Sequence, residues 1–160
     1  MVWTPTQTGA FLDAIVEDEY YTLFHLVALR GLRRGEACGL RREDVDLKAR
    51  TITVATQLVE NDNEVEESAP KSHAGDRVVA LRRHRAQQDE ARLAAGVAWI
   101  DSGRVFVSAD GAWLQPAWLS DHFERLVGRT GLPPIRLHDL RHGAALWPTV
   151  TSPRLSVSAR

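Results

Sequence analysis

Two short basic clusters, more than a hundred residues apart, carry the side chains best suited to chemistry in this chain. The first is Gly31-Leu32-Arg33-Arg34-Gly35-Glu36, the second is His138-Asp139-Leu140-Arg141-His142, and Pro70-Lys71-Ser72 lies between them. Guanidinium groups held in fixed positions stabilise the charge that builds on a pentacoordinate phosphate better than water does. Arg33 and Arg141 are the candidates for that role. Glu36 stands one helical turn from Arg33, where it can orient a buried guanidinium through a charge-assisted hydrogen bond. His138 stands three residues before Arg141 on the same helical face, placed to hydrogen-bond a phosphate and shift a proton. Lys71, on a hairpin loop able to reach over a substrate, is the candidate general acid for a leaving oxygen. His142 is a supporting candidate, with structural packing as its plainer role.

A different chemistry is open at the second cluster. His138 and His142 are spaced i, i+4 with Asp139 between them, which is the geometry of a zinc-dependent hydrolase with Asp139 where a glutamate base normally sits. No convincing third ligand follows, and that reading leaves Arg33, Glu36 and Lys71 without a purpose.

The elements that must position these residues follow from composition and patterning. With 160 residues and 44% hydrophobic content the chain can bury a substantial core as one domain. Its apolar runs are too short to cross a bilayer, and no basic segment leads into an apolar one at the N-terminus. The single cysteine, Cys38, excludes an intramolecular disulfide and falls inside a helical pattern, where a small core residue is the expected role. The net charge of −1 lacks the basic surplus usual in nucleic-acid binders, but it is unevenly spread. Asp13, Glu17, Asp18 and Glu19 crowd one segment and Glu60, Asp62, Glu64, Glu66 and Glu67 another. Basic groups occupy residues 30–50 and 77–85, so a phosphate-attracting face exists if these groups share one.

Thr4-Pro5-Thr6-Gln7 reads as a capping box with proline at the first helical position, predicting a helix to about Val16. Tyr21, Phe24, His25, Ala28 and Leu29 recur at helical spacing until Gly31 stops them. A short helix is expected over 33–40 and a strand over 51–54. The acidic stretch 60–67 suits a hairpin limb and turn, with 77–80 as the returning strand. Residues 81–95 read as helix, 104–107 as a short extended piece, and 116–127 as a helix with Leu119, Phe123, Leu126 and Val127 on one face.

Taken in order, the two arginine clusters and the lysine hairpin resemble the catalytic core of the tyrosine recombinases, the phage-integrase family. The resemblance covers roughly residues 3–145 and includes Gly39-Leu40, Glu43-Asp44-Val45-Asp46-Leu47 and Leu137 through Gly143-Ala144-Ala145. It implies an α+β, mainly α fold, a helical catalytic core with a small antiparallel β-sheet. It also implies site-specific DNA recombination or integration by strand breaking and rejoining, as in phages and mobile elements. Arg33, Lys71, His138 and Arg141 would be catalytic, Glu36 and His142 supporting. Neither a metal nor another cofactor would take part. The implied partners are double-stranded DNA and other recombinase subunits, with no membrane, and the implied location is the bacterial cytosol.

The resemblance fails at one end. Family members continue to a Gly-His pair and then to the tyrosine that attacks the phosphate, whereas Trp147-Pro148 is a helix-breaking pair and residues 149–160 contain neither His nor Tyr. Tyr20 and Tyr21 precede the first arginine cluster and read as core residues, so no nucleophile is assigned. Residues 1–145 are therefore expected to form a core incomplete at its C-terminus and without the family's preceding DNA-clamping domain. Residues 146–160 are expected to be an irregular tail of frameshifted character. The chain is expected to be inactive alone, and the alternative is a non-catalytic fragment that binds DNA or pairs with intact recombinase.

Overall fold

The computed structural model describes residues 1–46, 48, 51–54, 57–61, 64–68 and 82–146. Helix α1 (Pro5–Ala14) starts as its capping box requires: the Gln7 N–H donates to Thr4 Oγ1 at 3.2 Å, and the Thr4 N–H donates to Gln7 Oε1 at 2.9 Å. It ends two residues earlier than expected. The Asp18 carboxylate accepts the Tyr20 N–H at 2.9 Å, a local side-chain bond that favours a turn over another helical turn. Helix α2 (Tyr21–Arg30) buries Leu23, Phe24, Leu26, Val27 and Ala28 and stops at Gly31, whose φ of 67° is left-handed. Helix α3 (Arg34–Gly39) follows after a three-residue link.

Strands β1 (Val45–Asp46) and β2 (Thr51–Ile52) form one antiparallel pair, and β3 (Gln57–Asn61) and β4 (Glu64–Ser68) form another, in register from Gln57 opposite Ser68 to Asn61 opposite Glu64. The acidic stretch thus supplies its own return limb, whereas residues 77–80, expected to return, lie outside the described residues. Helix α4 (Arg82–Ala95) and helix α5 (Pro116–Thr130) flank an extended segment joined by single bridges, Arg41 to Arg104 and Val107 to Trp113. Helix α6 (Leu137–Leu140) runs directly into a tight helical turn, Arg141–Leu146.

An aromatic cluster forms the centre of the core. Phe11 and Phe123 have ring centroids 5.3 Å apart, Trp3 lies 5.2 Å from Phe11, and Phe24 lies 5.7 Å from Phe123. All four are essentially inaccessible, and Leu119, Leu126 and Val127 join them on the face of α5 read from the sequence. The Trp3 indole N–H donates to the Pro133 carbonyl at 2.8 Å and so ties the N-terminal segment to the approach of the second arginine cluster. Cys38 is fully buried, and burial pushes its thiol up to about 12, as suits a core residue. Tyr20 is buried too, its hydroxyl donating to the Val107 carbonyl at 2.9 Å.

Gly111 has no room for a side chain. Its φ is +87°, and a Cβ there would sit 2.2 Å from the Ile100 carbonyl and 2.6 Å from the Trp99 ring. Gly111→Ala is expected to lower stability by about 2–4 kcal/mol, from combined strain and overpacking. Urea unfolding of the two proteins checks this.

Candidate active site

The first arginine cluster lies at the end of α2. Gly31 turns the chain, and Arg33 becomes the residue before α3. Glu36 is 1% exposed, and its carboxylate accepts the Arg33 backbone N–H at 2.8 Å and faces the Arg33 guanidinium at 3.5 Å. The pair was expected to be a buried guanidinium steered by an acid. Instead the acid is the buried partner and the Arg33 side chain is 38% exposed. The reason is local: a carboxylate at the third helical position folds back on the helix start, where the unpaired N–H groups are. This leaves the guanidinium at the surface, where a ligand can reach it.

The second cluster repeats the device. Asp139 accepts the Arg136 N–H at 3.4 Å and so closes the start of α6. Asp139 is thus a capping residue, in the position that the hydrolase reading gave to a base. Leu137 and Leu140 are buried, while His138 is exposed and Arg141 half-buried. The His138 and His142 rings lie 5.0 Å apart, edge to face at 73°.

Contacts between α2 and the Arg141–Leu146 turn bring the clusters together. Gly143 packs on α1, where a Cβ would lie 3.4 Å from Thr8 Oγ1. The electrostatics of His138 register the result: its pKa is lowered from 6.5 by desolvation first, then by His142 and Arg141, against an opposing pull from Asp139, with Arg33 adding the smallest lowering contribution. Arg33 acts on a residue more than a hundred positions away. His138 is therefore neutral at pH 7, with one ring nitrogen able to donate and the other to accept. NMR titration is expected to place its midpoint below 6.5, and Arg33→Ala should move that midpoint upward by removing a repelling charge.

Arg33, Glu36, His138, Arg141 and His142 converge, while Lys71 lies outside the described residues. Among the described residues, no group of three His, Cys, Asp or Glu side chains could hold a metal, so His138 and His142 find arginines rather than further ligands beside them.

Two supporting arginines were not singled out in the sequence. Arg104 is 3% exposed, donates to the Gly39 carbonyl at 2.7 Å and lies 4.9 Å from the Trp113 ring centroid. It thereby fixes the C-terminal end of the short helix whose other end presents Arg33. Its signal was an arginine leading the apolar run Val105-Phe106-Val107. Arg34 donates to Ser120 Oγ at 2.8 Å and couples the same helix to α5. Arg42 donates to Gln88 Oε1 at 3.1 and 2.8 Å and lies 3.6 Å from Asp101, so part of the first basic group is engaged within the fold.

The helical core thus brings Arg33, Arg141 and His138 together from distant parts of the chain. The sequence profile of the phage integrase family matches residues 4–147, and the chain belongs to that family, the tyrosine recombinases. A protein of Mycobacterium tuberculosis named as a prophage phiRv2 integrase is 29% identical over 141 residues, covering 87% of this chain and 38% of that protein. A XerC-like tyrosine recombinase of Caldanaerobacter subterraneus is likewise 29% identical, over 81% of this chain and 38% of its own. Among solved structures, the Tn1549 transposon integrase in complex with transposon right end DNA superposes with a TM-score of 0.68 at 25% identity, covering 90% of this chain and 51% of that one. XerA recombinase superposes with a TM-score of 0.62 at 19% identity, covering 91% and 49%. The chain thus spans 38% of the length of the two relatives and about half of the two solved chains. Among the described residues, no helix is long and apolar enough to cross a membrane.

Proposed function

We propose that this chain is the DNA-gripping part of a site-specific recombinase, closing on one phosphate of a duplex with Arg33, Arg141 and His138. The packing of α2 against the Arg141–Leu146 turn, which brings the two arginine clusters together, carries the reading. The two guanidiniums hold the non-bridging oxygens, and the neutral His138 donates a hydrogen bond to the same phosphate. Glu36 fixes the backbone from which Arg33 reaches out, and His142 braces the His138 ring. Lys71, outside the described residues, would protonate the leaving 5′ oxygen only where an attacking hydroxyl is supplied to the site.

The cutting step needs an attacking hydroxyl. The only tyrosines in the 160 residues are Tyr20, buried and bonded to Val107, and the half-buried Tyr21 on α2. Neither serves, so these residues bind DNA without breaking it.

A fluorescence-anisotropy titration of a labelled mixed-sequence duplex across a salt series tests the first half, and a nicked duplex that traps covalent complexes tests the second. Binding that weakens steeply with salt, without a covalent band, is the expected pair of results. No binding at low salt defeats the reading of the site, and a covalent band defeats the assignment of inactivity.

A further inference from the structure

On the flank of α5 away from Arg34 lies a groove that the phosphate chemistry does not use. Trp118 and Ser120 are two residues apart on α5, and at about 100° per residue they leave the helix on nearly opposite sides. Ser120 meets Arg34, whereas Trp118 lines a cavity of about 430 Å³ with Tyr20 and Glu19. A second cavity of about 210 Å³ shares Glu19, Tyr20 and Ser108 and continues the groove to Trp99, with Glu17 on its edge. The larger volume falls within the range of ligand sites.

The walls are fixed and aromatic. Tyr20 is pinned to Val107, Trp118 stacks on His122 with centroids 4.9 Å apart at 11°, and the His122 ring faces the Asp18 carboxylate at 2.9 Å. Trp118 nevertheless remains 39% exposed. Its ring already draws one cation, with the Arg125 guanidinium carbon 5.9 Å from the centroid. Glu17 and Glu19 are exposed, and among the described residues neither is held in an ion pair and no lysine or arginine lines either cavity.

Acid at the rim repels a phosphate backbone and attracts a cation, and an indole face next to it suits a guanidinium or ammonium group. We propose that this groove docks a basic, extended segment of a partner protein, with an arginine or lysine over Trp118 and its charge towards Glu19. Because Arg34, the neighbour of Arg33, meets α5 on the side opposite Trp118, the groove leaves the first arginine cluster open, and DNA and the partner segment are expected to bind together.

The test uses the full chain, isotope-labelled, and a decapeptide alternating arginine and glycine, with the glutamate-glycine decapeptide and spermine as controls. The arginine peptide should shift the indole signals of Trp118 and Trp99. The exposed double substitution Glu17→Gln, Glu19→Gln should weaken it about tenfold while leaving the remaining spectrum and DNA binding unchanged. Trp118→Leu should weaken it as well. Equal binding of spermine overturns the proposal in favour of counter-ion attraction. Silent indoles or an unaffected double variant also overturn it. Self-association of the free chain that Trp118→Leu abolishes assigns the groove to a second copy instead.

Discussion

Arg141→Ala is expected to weaken binding to duplex DNA by about tenfold to a hundredfold at moderate salt, because a hydrogen bond to a charged group contributes about 1.5–3 kcal/mol. Arg141 is half-buried, between buried Leu140 and Gly143 along the chain, so part of its side chain is already confined and less ordering entropy opposes binding. Arg33→Ala should have an effect of the same order. Two arginines on one phosphate form a unit, so the double variant should lose less than the sum of the two single losses. The slope of log affinity against log salt should flatten by roughly one for each arginine removed. Lysine replacements separate charge from geometry: they restore the salt slope but not the affinity, since an ammonium lacks the planar fork. If both arginines can be replaced without change in slope or affinity, DNA docks elsewhere on the chain.

The features legible in the sequence are those whose cause is local. The Thr4–Gln7 capping box, the stop at Gly31 and the apolar face Leu119, Phe123, Leu126 and Val127 each depend on residues within two turns, and the fold reproduces them. The spacing of Arg33 and Glu36 correctly joined the two residues but not their burial, because the pairing was read as side chain to side chain. The carboxylate also caps the helix start, and this draws it inward. Asp139, which the zinc-hydrolase alternative would have made a base, caps the start of α6 in the same way. Arg104 illustrates the larger gap. Its partner, the Gly39 carbonyl, is 65 residues away, and nothing in either neighbourhood announces the other. Convergence of the two clusters had to be inferred from resemblance. Physically it depends on α2 packing against the Arg141–Leu146 turn, a contact no local pattern encodes.

Phe123→Ala is expected to be the most destabilising single change, at about 3–5 kcal/mol, because it empties the middle of the aromatic cluster. Phe123 touches three rings at once, with centroids 6.2 Å from Trp3, 5.3 Å from Phe11 and 5.7 Å from Phe24, and has no accessible surface. Against a total stability of about 5–15 kcal/mol for a domain of ordinary size, that loss can leave a large unfolded fraction. Urea denaturation should show a lower midpoint with an unchanged slope. Phe123→Leu removes less volume and keeps the chain folded, so it reveals the consequence for the site. Trp3 packs on Phe123 and also donates its indole N–H to the Pro133 carbonyl, three residues before Arg136 opens the second cluster. A slackened Trp3 loosens that anchor. Phe123→Leu should therefore speed hydrogen exchange at the Trp3 indole and weaken DNA binding by a few-fold while the circular dichroism stays native. A folded Phe123→Leu protein with full DNA affinity and an unchanged Trp3 indole would show that the Arg141 cluster is held without help from the aromatic cluster.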